Sequence, residues 1–284
     1  MKIGLALAGG GLKCVAYLGA LQALEELNIK IDYISGTSSG SIVAVMHALG
    51  FKSLEMKELL LENYKDLIKI SKIPIVFEGA RFFTKNEIKL QGLIDGIKLE
   101  NKVDKIANEK RITNINQINI PFAVATVDLV STKECILMSK DYNLKNDDID
   151  YITDISIGKA IRASMAFPGI FTPCEYKNYM FVDGGTKDNL PVKVLKDMGA
   201  DKVLSLNFRL DDYNSKEQNV MDILLRTVDI FSLKDVIQAQ KQADCSIEID
   251  AKEASLLSFD NIEYSIKNGY DTIMQNKEKI LKLL

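Results

Sequence analysis

Twice within its first fifty residues the chain runs from an apolar stretch, through a glycine turn, into a helical pattern. Residues 2–8 are apolar enough for a buried strand, and Gly9, Gly10 and Gly11 then break it. From Lys13 to Leu27 the sequence is rich in Ala and Leu, with Leu18, Leu21, Leu24 and Leu27 at helical spacing. Ile31–Ser35 predicts a second short strand, Gly36–Gly40 a tight turn, and Ser41–Leu49 an apolar helix closed by Gly50. Strand, glycine turn and helix in repetition specify an α/β sheet with crossover helices.

The rest of the chain extends that pattern. Residues 51–118 are charged and helical in pattern, interrupted near Pro74 and Gly79. The apolar, aromatic patch at 73–83 fits ordinary core, or a lid or wall of an apolar pocket. Strands are expected at Pro121–Val130, Cys135–Ser139, Tyr179–Val182, Lys202–Asn207 and 245–249. Helices are expected at Ser156–Ala163, at 217–243 and from about 250 to the end. Asp141–Asp154 is acidic and lacks the glycine of a calcium loop, so it reads as a solvated loop. With no repeat, no low-complexity tract and no linker, a single domain over 1–284 is expected, with a core at about 3–210 and an extension over 211–284.

Composition excludes several kinds of chemistry. A net charge of −3 supplies no basic stripe for nucleic acid. The one His, at position 47, rules out metal sites built on paired His. Cys14, Cys135, Cys174 and Cys245 are scattered with no CxxC spacing, which fits reduced thiols rather than a metal or disulfide framework. The N-terminal apolar stretch is too short for a signal peptide and no run is long enough to span a membrane, so a cytoplasmic protein is expected.

Three short motifs carry chemistry. Gly36-Thr37-Ser38-Ser39-Gly40 fits G-x-S-x-G between a strand and a helix. Gly36 and Gly40 would let strand and helix approach closely, pushing the Ser38 hydroxyl out at the positive end of the helix. The alternative is a small-residue turn without chemistry. Gly9-Gly10-Gly11-Leu12-Lys13 precedes a helix N-terminus and would present backbone N–H groups to an anion. The Walker spacing is absent. A dinucleotide fingerprint would need glycine at 14, where Cys14 stands, although Asp32 lies about where a ribose-binding acid would. The third reading is an oxyanion hole from the N–H groups of Gly10, Gly11 and Ser39. Asp183-Gly184-Gly185 is common turn chemistry, or else a general base for Ser38 that two glycines leave unobstructed.

These motifs occur in order, with Ala163-Ser164-Met165-Ala166-Phe167-Pro168-Gly169-Ile170-Phe171 and Asp188-Asn189-Leu190-Pro191-Val192 beside the third. The arrangement resembles the patatin-like phospholipase family, in particular its compact single-domain bacterial members. The resemblance runs from about residue 3 to 210, and 244–275 is similar to the same branch. It implies a three-layer α/β/α sandwich with a central, mostly parallel sheet, and a Ser–Asp dyad in place of a triad. It implies hydrolysis of lipid acyl esters with no metal or organic cofactor, and a lipid or acyl-ester substrate met at a membrane surface. By motif, Ser38 is the nucleophile, Asp183 the proton acceptor and Gly9–Gly11 the oxyanion loop. Lys13 stands where the family has Arg or Lys, and Cys14 departs from its usual Gly.

The leading expectation is therefore a phospholipase A or lysophospholipase. The alternatives are an acyltransferase sharing the acyl-enzyme, and a non-catalytic nucleotide- or phosphate-binding module. His47 is not expected to serve as a triad base. Nine residues of helix after Ser38 would carry it roughly 13 Å along the axis and onto the opposite side.

Overall fold

The computed structural model describes residues 1–71, 92–209, 220–250 and 262–283. The strands are β1 (Ile3–Leu7), β2 (Tyr33–Thr37), β3 (Gly92–Ile94), β4 (Phe122–Asp128), β5 (Glu134–Met138), β6 (Ile149–Ile152), β7 (Gly169–Phe171), β8 (Cys174–Tyr176), β9 (Tyr179–Asp183), β10 (Lys202–Phe208) and β11 (Cys245–Ile249). The helices are α1 (Ala16–Glu26), α2 (Ser39–Ala48), α3 (Ser53–Ser71), α4 (Ile97–Glu109), α5 (Ile157–Ser164), α6 (Val192–Asp197), α7 (Val220–Gln242), α8 (Ile262–Gln275) and α9 (Lys277–Leu281). A 3-10 turn, Gly11–Val15, leads into α1.

The main sheet runs β11-β10-β1-β2-β4-β5-β6. Its pairs are parallel except β4 with β5, β4 with β9, and β8 with β9. Strand alternation divides the interior in two. Leu5, Leu7, Ile34, Phe122, Val124, Leu204 and Leu206 face one side, against residues of α1, α2, α4, α5 and α8. Ala6, Ala8, Tyr33, Ala123, Ala125 and Ile136 face the other, against α6 and the inner side of α7. This is the three-layer α/β/α architecture with a mostly parallel sheet. In α1 alone, Leu18, Leu21 and Leu24 are buried, each contributing about 1.5–3 kcal/mol by area. No helix among the described residues is long and apolar enough to cross a membrane.

The extension beyond residue 210 packs on the start of the chain. A Cβ at Gly19 would lie 1.8 Å from Ile266 O, and one at Gly269 would lie 1.8 Å from Ala16 O. The backbones of α1 and α8 touch at this crossing, which only glycine at both positions permits.

Two sequence expectations change. The 141–154 segment contains strand β6, which pairs in parallel with β5 at the sheet edge. Its side chains are half-buried, so a polar composition is compatible with it. The turn at Ser38 is also tighter than 36–40: β2 extends through Thr37 and α2 starts at Ser39. Gly50, at φ 86°, closes α2 as expected. The apolar patch at 73–83 lies outside the described residues.

Candidate active site

Strand pairing brings Ser38 and Asp183 together. β2 runs along one edge of β4 and stops where Thr37 pairs Ala125. β9 runs the opposite way along the same edge and stops where Asp183 pairs Thr126. The two strands therefore meet end to end at consecutive positions of β4. Ser38 follows the last residue of one, and Asp183 is the last residue of the other.

Ser38 is the single residue between β2 and α2, with φ 50° and ψ −128°. A non-glycine residue in this conformation is strained by about 1–3 kcal/mol and persists only where its surroundings hold it. The glycines at 36 and 40 explain how the chain turns so sharply. A Cβ at Gly36 would lie 2.6 Å from Gly40 O, and one at Gly40 2.5 Å from Ala8 O. Ser164 Oγ accepts the Ser38 N–H at 2.9 Å and donates to Ala125 O at 2.7 Å. Ser41 Oγ donates to Ser38 O at 2.5 Å.

Asp183 is 2% exposed. Its Oδ1 accepts the Gly185 N–H at 2.8 Å. Gly184 can have no side chain, because a Cβ there would lie 2.3 Å from Ala125 O. Burial pushes the Asp183 carboxyl up to about 6, while the Ser38 hydroxyl and the Gly185 N–H pull against it. The hydroxyl acts on the carboxyl without a well-aligned hydrogen bond, since Oδ2 has no such partner among the described residues.

A second carboxyl nearby is also perturbed. Asp188 is pushed up to about 8 by burial and by the charge of Glu134. It lines a cavity of about 220 Å³ with Glu134, Lys193 and Asp235, and that cavity touches neither Ser38 nor Asp183. Of these two carboxyls, Asp183 is the one placed against the serine.

The glycine loop crosses beside Ser38. A Cβ at Gly9 would lie 2.9 Å from Ser38 Cβ, and one at Gly10 2.6 Å from the Phe208 ring. Phe208 stacks on Tyr17 at 4.7 Å, and Tyr17 Oη reaches Ala8 O at 3.0 Å just before the loop. The Gly9 N–H donates to Asn189 Oδ1 at 3.1 Å, and the Gly10 N–H donates to Ser39 Oγ at 3.1 Å. The Gly11 N–H has no acceptor among the described residues. One free donor of three is a poor phosphate cradle, which needs several converging N–H groups. The Ser39 N–H belongs to the first turn of α2, whose donors have no partner within the helix. Lys13 is half-buried in the 3-10 turn, its N–H donating to Gly10 O at 3.3 Å. Cys14 also meets Ser39, and burial pushes its thiol up to about 12.

Ser38, Asp183, Gly9, Gly10, Ser39, Gly36, Gly40, Gly184 and Gly185 thus lie close around the turn at Ser38, and Gly11 is the next residue of the glycine loop. Ser164, Asn189, Tyr17 and Phe208 join them without having been singled out from sequence. Only their places beside the motifs could have pointed to Ser164 and Asn189. His47 lies in the last turn of α2, the helix that begins next to Ser38.

The model for the patatin-like phospholipase family matches residues 5–196. Lysophospholipase NTE1 of Mycosarcoma maydis is 26% identical over 97% of this chain. Human patatin-like phospholipase domain-containing protein 6 is 25% identical over 74% of it. The chain spans only 15% and 14% of those two proteins. Among solved structures, VipD from Legionella pneumophila aligns over 96% of this chain and 66% of its own, with a TM-score of 0.51 at 17% identity. The type III effector ExoU aligns over 98% of this chain and 53% of its own, with a TM-score of 0.51 at 16% identity. Both are similar in fold.

Proposed function

The chain belongs to the patatin-like phospholipase family, and on that basis we propose that it hydrolyses acyl esters of lipids through Ser38 and Asp183. The observation that carries the reading is the carboxyl of Asp183, buried against Ser38 and raised to about 6. An ordinary carboxylate is a weak base for a serine hydroxyl. One raised toward neutrality is better matched to the proton while still ionised at pH 7.

In the first half-reaction Ser38 Oγ bonds to the acyl carbonyl carbon and its proton passes to Asp183. The carbonyl π pair moves onto oxygen, making the tetrahedral oxyanion. The Gly11 and Ser39 N–H groups are the donors available to it without rearrangement. Gly10 can join only when Ser39 Oγ turns from its N–H. Collapse breaks the ester C–O bond, and the leaving alcohol takes the proton from Asp183. Water then attacks the acyl-enzyme, giving its proton to Asp183, and the fatty acid leaves as Ser38 recovers its hydrogen.

The lysophospholipase name of one relative supports phospholipids and lysophospholipids as the substrate class. The test is fluorophosphonate labelling with mapping of the modified residue, alongside release of free fatty acid from a lysophospholipid. Label on Ser38, and acyl hydrolysis lost in Ser38→Ala, are expected. Label elsewhere, or activity retained in Ser38→Ala, overturns the reading. A new ester in place of free fatty acid would mean acyl transfer.

A further inference from the structure

Asn189 borders three parts of the candidate site at once. Its Oδ1 accepts the Gly9 N–H at 3.1 Å, and its main-chain O accepts the same N–H at 3.3 Å. The fit is close: a Cβ at Gly9 would lie 2.6 Å from that Oδ1 and 2.9 Å from Ser38 Cβ. The same oxygen covers Gly185, where a Cβ would lie 3.1 Å from it and 3.1 Å from Asp183 Oδ1. One amide thus holds the glycine loop and lies next to Ser38 and to the residue whose N–H holds Asp183.

The backbone on either side of Asn189 is fixed to β2. Thr37 Oγ1 donates to Asp188 O at 2.8 Å, and Ser35 Oγ donates to Pro191 O at 2.7 Å. Asn189 is therefore anchored to the strand that carries Ser38, and it grips the glycine loop from that anchor. We propose that Asn189 is a positioning residue, a neutral acceptor that sets the glycine loop in register with Ser38 and Asp183. The proposal rests on the hydrolase reading above.

Geometry and charge both favour an amide here. Fixing the Gly9 N–H fixes the plane of the preceding peptide, and with it the start of the segment that presents the Gly10 and Gly11 N–H groups. An alkyl side chain would leave the Gly9 N–H only the longer main-chain acceptor at 3.3 Å, so the loop would be held by one contact in place of two. A carboxylate would accept that N–H equally well, but would put a second negative charge beside Asp183. Among the described residues, the Ser38 hydroxyl and the Gly185 N–H are the groups that act with burial on the Asp183 carboxyl. A charge introduced at 189 would therefore displace the titration of Asp183 upward.

The experiment measures kcat and KM on a soluble p-nitrophenyl acyl ester from pH 4.5 to 9. Wild type, Asn189→Ala and Asn189→Asp are compared, with Ser38→Ala as background. Asn189→Ala should lower kcat by about fivefold or more with KM within about threefold. Asn189→Asp should move the acid limb of the profile up by about 0.3 pH unit or more, whatever its plateau. A smaller loss in folded Asn189→Ala, a larger rise in its KM, or an unmoved limb in Asn189→Asp, overturns the proposal. If Asn189→Ala does not fold, the limb of Asn189→Asp decides alone. If neither folds, Asn189 serves the fold and not the register, and the proposal fails. A wild type no more active than Ser38→Ala overturns the hydrolase reading and the proposal with it, whereas an active wild type confines any failure to Asn189.

Discussion

The hydroxyl of Ser164 accepts the backbone N–H of Ser38 at 2.9 Å, across 126 residues of sequence. It also donates to Ala125 O, so one side chain ties the strained residue at the end of β2 to strand β4. Strain at Ser38 is held from outside the turn, and this link is one of the restraints that hold it.

Ser164→Ala should therefore act on both fold and chemistry. It removes the acceptor of the part-buried Ser38 N–H and the donor to the buried Ala125 O, a loss of about 1–3 kcal/mol. Relaxation of the turn should misplace Ser38 Oγ and lower kcat by roughly tenfold or more. Ser164→Thr keeps the hydroxyl and should restore much of both. Urea unfolding and ester hydrolysis check the pair. Wild-type values for both in Ser164→Ala would show that the turn is held without it.

Gly269→Ala tests whether the crossing of α1 and α8 is as close as the geometry states. A methyl group there would meet Ala16 O at 1.8 Å, so the helices must separate. The expected cost is at least the roughly 1–3 kcal/mol of ordinary overpacking. Because α1 follows directly from the glycine loop, activity should fall as well. Tyr264→Ala, on an exposed position of α8, should shift stability by no more than about 0.5 kcal/mol. Equal melting temperatures for Gly269→Ala and wild type would mean that the contact is slack.

The turn around Ser38 was legible in the sequence because its glycines are required by backbone contact, not by local preference. Gly36 meets Gly40 O, and Gly40 meets Ala8 O, and no other residue fits. The boundaries of the turn were not legible. Propensity places a loop across Gly36–Gly40, but tertiary contacts hold Ser38 at positive φ and compress the loop to one residue. Strand β6 was hidden by its polar composition, which an edge position tolerates. Asn189 and Ser164 act on partners 180 and 126 residues away, and no local pattern announces contacts of that range. The pairing of β2 and β9 end to end on β4 was likewise invisible, although it is what joins two well-marked motifs into one site.

Asp183→Asn should abolish hydrolysis and stabilise the fold. Burial raises the Asp183 carboxyl from its ordinary 3.8 to about 6. The folded state then binds this proton more tightly than the unfolded chain does. Stability from the group is full below pH 3.8 and is lost as pH rises through about 6. The loss amounts to about 3 kcal/mol on the usual conversion. An amide in place of the carboxyl cannot ionise, so the variant should be more stable than wild type at pH 8 by up to that amount, and the gap should close below about pH 4. Activity in wild type should show an acid limb near the same value. Urea unfolding at the two pH values checks the first claim, and a gap that ignores pH would exclude a buried ionised carboxylate.

His47 should be dispensable for turnover. The helix that starts beside Ser38 ends just past His47, so helix length separates the two. Eight residues from Ser39 to His47 correspond to roughly 12 Å of axial rise, beyond the reach of any hydrogen bond. The chemistry of the imidazole also argues against a role as base. Its pKa is lowered, first by burial and then by Lys52, with Glu25 opposing, and its Nδ1 has no hydrogen-bond partner among the described residues. A triad base has its second nitrogen oriented by a carboxylate, and none of the described residues orients this one. Its neutral form is the one the fold favours, so it contributes stability that is present above its unfolded pKa of 6.5 and lost as pH falls through its lower folded value. His47→Gln should keep at least about a third of wild-type kcat/KM, a loss below roughly 1 kcal/mol of transition-state stabilisation. A folded His47→Gln that lost about a thousandfold would require a histidine in the proton path and would end the case for Ser38 and Asp183 acting as a pair.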